Sequence, residues 1–179
     1  LVDRIVDLVR RRQHVLPDVA DVDRPGAGRK LELREIRVER VLIPEGRGQY
    51  YINPYVGCTI GCEFCYVIDR ADLSRAIEGL PRQSWGRYVH VKVNAAEVLA
   101  QEVRVHPPGP VRFSPILTDP YQGVESRYRI TRGCLEVLLG ARFEPIVLSR
   151  ARRVVEDVDL FARFDRVAVG LSIPTDDDR

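Results

Sequence analysis

Short apolar runs and amphipathic segments alternate along the chain from about residue 49 onwards. Four near-continuous apolar runs have the length of buried strands, at residues 49–56, 111–117, 145–149 and 166–173. Segments with helical periodicity lie between and beside them, at residues 94–105, 130–142 and 154–164. Strands that are apolar along their whole length are typical of parallel sheets covered by helices. The pattern therefore predicts an α/β fold with about four β/α units.

Two of these helices carry further signals. Asn94 stands at the N-cap of the first helix, and Glu97 follows three residues later, which predicts a box-like capped start. The second helix, at residues 130–142, is predicted to turn Leu135, Leu138 and Leu139 toward the core. Cys134 lies in the same helix, and we interpret it as a small buried residue rather than a ligand.

The first 48 residues have a different pattern and are expected to form an N-terminal arm, with the core at residues 49–179. Residues 1–12 predict a short amphipathic helix that ends in three arginines. Residues 13–30 are rich in Pro, Gly and charge, which favours a linker. Residues 31–43 alternate apolar and charged side chains and predict a half-exposed strand or a hairpin arm.

Composition narrows the functional class. The chain has 28 Lys and Arg against 26 Asp and Glu, with a pI of about 8.4. This charge balance falls short of the basic footprint of a dedicated nucleic-acid-binding domain. No apolar run approaches the length of a membrane span, and no signal peptide is visible. Because the chain lacks Met and stops soon after an apolar strand, we expect a truncated core.

Three cysteines dominate the chemistry of the sequence. Cys58, Cys62 and Cys65 follow the spacing C-x-x-x-C-x-x-C. Thiolates are the ligands that iron–sulfur clusters prefer. A cubane cluster has four irons, so three cysteines leave one iron open for substrate chemistry. Gly57 and Gly61 allow the tight turns that such a loop needs. The motif therefore predicts a redox-active cluster, and free thiols of this kind indicate a reducing compartment, the cytoplasm.

Two other interpretations of the cysteines stay open. A non-catalytic iron–sulfur electron carrier or redox sensor would need a fourth protein ligand. A structural zinc site in a nucleic-acid-binding module would need a fourth Cys or His at short spacing, and the nearest downstream histidine is His90. Phe64 and Tyr66 place aromatic surface between and beside the thiols, which would limit water around a cluster.

Three stretches resemble a known enzyme family. INPYVGCTIGCEFCY, FSPILTDPYQGVESRYRITRGCLEVL and VAVGLSIPTDDD, within roughly residues 50–179, resemble the spore photoproduct lyase-like branch of the radical S-adenosylmethionine (SAM) enzymes, also described as DNA repair photolyase-like. The resemblance implies a partial (β/α) TIM-type barrel, here truncated after about four β/α units. It implies a [4Fe–4S] cluster on Cys58, Cys62 and Cys65.

The same resemblance implies the reaction and its partners. SAM would chelate the open iron through its amino and carboxylate groups. One electron from an external reductant of flavodoxin or ferredoxin type would then cleave it to methionine and a 5′-deoxyadenosyl radical. That radical would abstract hydrogen from a substrate, with nucleic acid as the class that the branch suggests.

The resemblance also assigns cofactor-binding roles residue by residue: Phe64, Tyr66, Thr118, Asp119, Arg150 and Ser172. Phe64 would pack near the adenine, and Thr118 and Asp119 would provide a hydroxyl and a carboxylate near SAM. Arg150 stands where the branch has a Lys that pairs with the SAM carboxylate. Ser149 is a further hydrogen-bonding neighbour. Residues 119–123 also fit an ordinary turn.

One departure concerns the end of the reaction. Spore photoproduct lyase carries a cysteine just before the hydroxyl–carboxylate pair, where it returns a hydrogen atom to the product. Residues 115–117 are Pro, Ile and Leu here, and none is a good hydrogen-atom donor. The photoproduct reaction itself is therefore not implied, and the substrate and the final hydrogen donor stay open.

Overall fold

The computed structural model describes residues 31–113 and 117–173. The predicted helix at 1–12, the linker at 13–30, and residues 114–116 and 174–179 lie outside the described residues. The strands are β1 Glu32–Ile36, β2 Ile43–Gly46, β3 Gln49–Ile52, β4 Tyr55–Val56, β5 Tyr88–Lys92, β6 Pro110–Phe113, β7 Glu144–Ser149 and β8 Ala168–Leu171. The helices are α1 Ile68–Ile77, α2 Ala95–Glu102, α3 Glu125–Tyr128, α4 Ile130–Gly140 and α5 Val158–Phe161, with a 3-10 helix at Arg152–Asp157.

The larger sheet has five strands in the order β2-β3-β6-β7-β8. β2 and β3 form an antiparallel hairpin. β3, β6, β7 and β8 all pair in parallel, which confirms the predicted relation of these four apolar strands. Because they are parallel, their carboxyl ends lie at one edge of the sheet. Ligands of parallel α/β sheets bind outside that edge.

The smaller sheet has three strands in the order β1-β5-β4. β1 pairs in parallel with β5, and β4 pairs with β5 in the antiparallel direction. Residues 31–43 thus contribute β1, a half-exposed strand that lies beside β5. The cysteine motif begins directly after β4, so this sheet supports its start.

The predicted partial barrel is wrong. Over residues 31–113 and 117–173 the strands divide into two separate mixed sheets, and no barrel closure is found. The sequence pattern treated residues 49–56 as one strand, whereas the chain leaves the larger sheet after Ile52 and joins β5 from Tyr55. Pro54 lies at this break, and its missing N–H cannot contribute to a continuous ladder.

Helices α2 and α4 cover the core, but the start of α2 differs from the expectation. Asn94 occupies the N-cap position without a side-chain capping bond. Its side chain instead accepts from Val38 N at 2.9 Å and donates to Val38 O at 2.8 Å. Leu135, Leu138 and Cys134 are fully buried, as predicted, whereas Leu139 is only partly buried.

A group of acidic and basic side chains links α1 to the smaller sheet. We call Glu32, Arg75, Glu78 and His90 the Arg75 network. Arg75 is 1% exposed and donates to both Glu32 carboxylate oxygens at 3.0 Å. His90 Nε2 lies 3.1 Å from Arg75 Nη1, and His90 Nδ1 lies 3.4 Å from Glu78 Oε2. The hydrogen bonds from Arg75 lower the pKa of Glu32, and burial lowers the pKa of His90.

The helices in the described part of the chain are each too short or too polar to cross a membrane.

Candidate cluster and cofactor site

The cysteine loop, residues 57–66, begins with a glycine that no other residue can replace without strain. Gly57 has a φ of 86°, and a Cβ there would lie 2.3 Å from Tyr88 O. Gly61 has a φ of 63° and packs against Gly86, since a Cβ at Gly61 would lie 3.1 Å from the Gly86 Cα. The tight turns predicted at Gly57 and Gly61 are therefore confirmed.

A cavity of about 320 Å³ lies between the cysteine loop and the carboxyl ends of β6, β7 and β8. Its polar lining residues include Cys58, Cys62, Cys65, Tyr66, Arg112, Thr118, Asp119, Ser149, Arg150 and Ser172. Its apolar wall includes Phe113, Ile146 and Leu148. All of the residues to which the sequence analysis assigned cluster or cofactor binding line this cavity, except Phe64. The Phe64 side chain is 76% exposed, and the Arg150 Cζ lies 5.1 Å from its ring centroid.

The three loop cysteines are free thiols at one end of this cavity. Within the described residues, no three His, Cys, Asp or Glu side chains are close enough to hold one metal ion. A four-iron cluster has a different requirement, because each thiolate binds its own iron and the ligands are spaced more widely.

Arg150 contacts one of these thiols directly. Its Nη1 donates to Cys62 Sγ at 2.6 Å. Burial raises the pKa of Cys62, and the nearby Arg150 charge opposes this rise. Cys58 is fully enclosed, so burial raises the pKa of its thiol. A bound metal removes the thiol proton, because only the thiolate is a ligand.

Asp119 links the loop after β6 to the end of β7. Its Oδ1 accepts from Ser149 Oγ at 2.7 Å and from Tyr121 N at 2.8 Å, and its Oδ2 accepts from Arg150 N at 2.8 Å. Burial raises the pKa of Asp119, and these three donors oppose the rise. The bond to Tyr121 N is ordinary turn chemistry. The other two bonds hold the backbone from which the Arg150 side chain reaches Cys62.

The Thr118 side chain is hydrogen-bonded to the backbone of the cysteine loop. Its hydroxyl donates to Gly57 O at 2.6 Å and accepts from Gln122 Nε2 at 2.5 Å. The hydroxyl proton is thus directed at the loop backbone rather than at the cavity. We call Thr118, Asp119, Gln122 and Ser149 the cavity network.

Comparisons with known proteins place the chain beside uncharacterized relatives. No protein-family profile matches it, and no solved structure matches it. It is 28% identical over 146 residues to the uncharacterized protein MJ0683 of Methanocaldococcus jannaschii, covering 80% of this chain and 52% of that protein. It is 29% identical over 133 residues to the uncharacterized proteins Rv2578c of Mycobacterium tuberculosis and Mb2609c of Mycobacterium bovis, covering 70% of this chain and 38% of each. The chain thus spans about half or less of the curated relatives it matches.

Sequence reasoning missed two buried residues that hold the site together. Gln122 is fully buried and bonds to the cysteine loop. The Glu125 carboxylate accepts from the Tyr55 hydroxyl and from the backbone N–H groups of Thr131 and Arg132 at 3.1 Å. Burial raises the pKa of Glu125 to about 6.

Trp85 and Arg112 were also missed, and both line the cavity. Arg112 makes a paired contact with both carboxylate oxygens of Glu45, so its charge is held on the β2–β3 side of the cavity. Trp85 lies edge-to-face with Tyr88, at 6.2 Å between ring centroids. Trp85 and Arg112 reach the cavity through packing between segments that are distant in the chain, so no local sequence pattern marks either residue.

Proposed function

We propose that this chain carries the cluster- and SAM-binding part of a radical SAM enzyme, with Cys58, Cys62 and Cys65 holding a [4Fe–4S] cluster. One observation carries the proposal: three free thiols share a cavity with a hydroxyl, a buried carboxylate and a guanidinium. Three thiolates leave one iron open, and that is the position a small chelating molecule needs. The resemblance to the radical SAM enzymes names that molecule as SAM.

An unpaired donor supports a second ligand beside the cluster. Arg150 Nε is buried, and no hydrogen-bond partner for it is found in the described part of the chain. A buried donor without an acceptor is costly. The carboxylate of a bound SAM would supply an acceptor there, and Arg is suited to carboxylates.

The chain's own residues would position the reactants and exclude water. When bound and reduced, the cluster and SAM supply one-electron bond cleavage, and that chemistry belongs to the cofactors. Phe113 is buried, whereas Ile146 and Leu148 are exposed, so this apolar wall would exclude water once bound cofactors cover it. The electron would come from a flavodoxin- or ferredoxin-type reductant in a reducing cytoplasm, and nucleic acid is proposed as the substrate class on the resemblance alone.

Anaerobic reconstitution followed by reduction with dithionite tests the proposal. We expect the wild-type chain to bind iron and sulfide in equal amounts and to convert SAM to 5′-deoxyadenosine and methionine. Cys62→Ala should abolish both iron binding and SAM cleavage. Cys134→Ala is the matched control, because Cys134 is buried in α4 and is not among the cavity residues, and it should retain both. Retention of both activities by Cys62→Ala would contradict the ligand assignment.

The two alternatives predict other results in the same assay. An electron carrier would bind iron and sulfide but leave SAM intact. A structural zinc site would yield zinc without sulfide.

A further inference from the structure

Gln122 is a buried amide whose hydrogen bonds all serve the start of the cysteine loop or its immediate support. We infer that Gln122 is a positioning residue that fixes the backbone around Cys58 and thereby sets the geometry of the cluster. The inference rests on the proposed function for the cluster, but the backbone clamp itself stands on contacts in the structure.

The Gln122 side chain is 0% exposed, and both of its polar atoms are hydrogen-bonded. Its Nε2 donates to Gly57 O at 3.1 Å and to Thr118 Oγ1 at 2.5 Å. Its Oε1 accepts from Thr59 N at 2.8 Å. A carbonyl oxygen can only accept and a backbone N–H can only donate, so these partners fix the orientation of the amide.

These bonds enclose the first cysteine of the motif. Gly57 and Thr59 are the residues immediately before and after Cys58, and one side-chain amide binds the backbone of both. Gly57 N also donates to Leu117 O at 3.1 Å. Both backbone polar groups of Gly57 are therefore tied to residues 117–122, so the position of Cys58 is fixed relative to that segment.

The other two cysteines are supported differently. Cys65 N donates to Cys62 O at 3.1 Å, which is a contact within the loop. The Cys62 thiol contacts Arg150, whose backbone is held by Asp119. The Gln122 clamp therefore acts on the first cysteine alone, and its loss should change the relation of Cys58 to Cys62 and Cys65.

Glutamine can make these three hydrogen bonds because its side chain is long enough and carries both N–H donors and a carbonyl acceptor. Methionine has a similar length and shape but can replace none of these strong hydrogen bonds. In Gln122→Met the Thr59 N–H is left without its acceptor, while Gly57 O keeps only the Thr118 hydroxyl. Leaving a buried backbone group unpaired favours local opening of the loop.

The experiment compares wild type, Gln122→Met and Gln101→Met, since Gln101 is exposed on α2 and serves as the matched control. Amide hydrogen exchange of the cluster-free chain, measured by mass spectrometry, should accelerate about tenfold or more in residues 57–66 of Gln122→Met. Peptides from β7 should keep the wild-type rate. After reconstitution, the reduced cluster should show altered g-values in its electron paramagnetic resonance spectrum and lose iron to a chelator about tenfold faster than in the wild type.

The results distinguish a role of Gln122 in positioning the cysteine loop from a general contribution to folding stability. Unchanged exchange in residues 57–66, or an equal acceleration across the whole chain with an unaltered spectrum, would overturn the inference. If Gln122→Met does not fold, Gln122→Glu keeps the length and the acceptor for Thr59 N, and above the pKa of its carboxyl it removes the Nε2 donor. It should then accelerate exchange at the loop start, and no acceleration there overturns the inference. If the wild-type chain binds no cluster, the proposed function fails, while the exchange comparison still decides the clamp.

Discussion

The Arg75 network and the cavity network each have a buried polar centre, but a cation bonds directly to the carboxylate in the first and not in the second. In the Arg75 network a buried guanidinium meets the Glu32 carboxylate directly at 3.0 Å. In the cavity network the Asp119 carboxylate receives a hydroxyl and two backbone N–H groups, and no guanidinium or ammonium donor bonds to it in the described residues. The nearby Arg150 side chain extends to Cys62 instead.

Under the proposed function, this difference separates a structural network from a ligand-binding one. The ion pair between buried Arg75 and half-exposed Glu32 links α1 to the smaller sheet, and removal of one partner destabilises the fold. A buried carboxylate held by neutral donors has a raised pKa and leaves the neighbouring cation available to a ligand. The comparison predicts that changes in the Arg75 network alter stability first, and that changes in the cavity network alter ligand binding first.

Arg75→Met should have the largest effect on stability. It leaves Glu32 without its bidentate partner and removes the contacts to His90 and to Pro81 O. Because Glu32 is 32% exposed and can be hydrated, we expect a loss of about 1–3 kcal/mol. Urea unfolding followed by circular dichroism measures this loss, with Arg70→Met, exposed on the same helix, as the control. A loss no larger than that of the control would show that the network is not structural.

Glu125→Gln should change the pH dependence of stability. Burial raises the pKa of Glu125 from 4.5 to about 6, so the folded chain binds its proton more tightly than the unfolded chain does. Stability should therefore fall as pH rises from 4.5 to 6, by about 2 kcal/mol from this group. Urea unfolding at several pH values should show a flatter dependence in Glu125→Gln. An unchanged slope would contradict the assignment.

Asp119→Asn should reduce the affinity for SAM more than it reduces folding stability. The new amide turns an N–H toward either Arg150 N or the Ser149 hydroxyl, which disturbs the backbone from which Arg150 reaches the cavity. Loss of one charge-assisted hydrogen bond corresponds to about a tenfold weaker affinity. Isothermal titration of the reconstituted chain with SAM measures it, and exposed Asp165→Asn is the control. Equal affinities in the two variants would remove Asp119 from the site.

His90→Gln should have the smallest effect on the pH dependence of stability. The contribution of His90 to that dependence has the opposite sign to the contribution of Glu125. Burial lowers the pKa of His90 below 6.5, so the unfolded chain takes up the proton first as pH falls. Wild-type stability should decrease on acidification below pH 6.5, because the folded state resists this protonation. Removal of His90 should reduce that decrease. The same unfolding series checks it, and a steeper decrease in His90→Gln would contradict the burial argument.

The part of the candidate site that could be predicted from the sequence is the part marked by local residue patterns. The cysteine spacing, the glycines at 57 and 61, and the polar residues that follow β6 and β7 are local signals. Thr118, Asp119, Ser149 and Arg150 could be grouped because the carboxyl ends of parallel strands meet at one edge.

The parts that were missed depend on partners distant in the chain. The break at Pro54 moves β4 to another sheet, and the apolar run from 49 to 56 hides it. Asn94 bridges to Val38 rather than capping α2, because a distant backbone offers both a donor and an acceptor. Gln122 looked like a turn residue, since its two partners in the cysteine loop lie more than 60 residues away.

An electron paramagnetic resonance spectrum of the anaerobically reconstituted, reduced chain, recorded with and without SAM, tests the central claim most directly. We predict a [4Fe–4S] signal whose g-values change when SAM is added, because SAM would bind an iron that has no protein ligand. A [4Fe–4S] signal that is indifferent to SAM would contradict the account, since it would place a fourth protein ligand on the cluster.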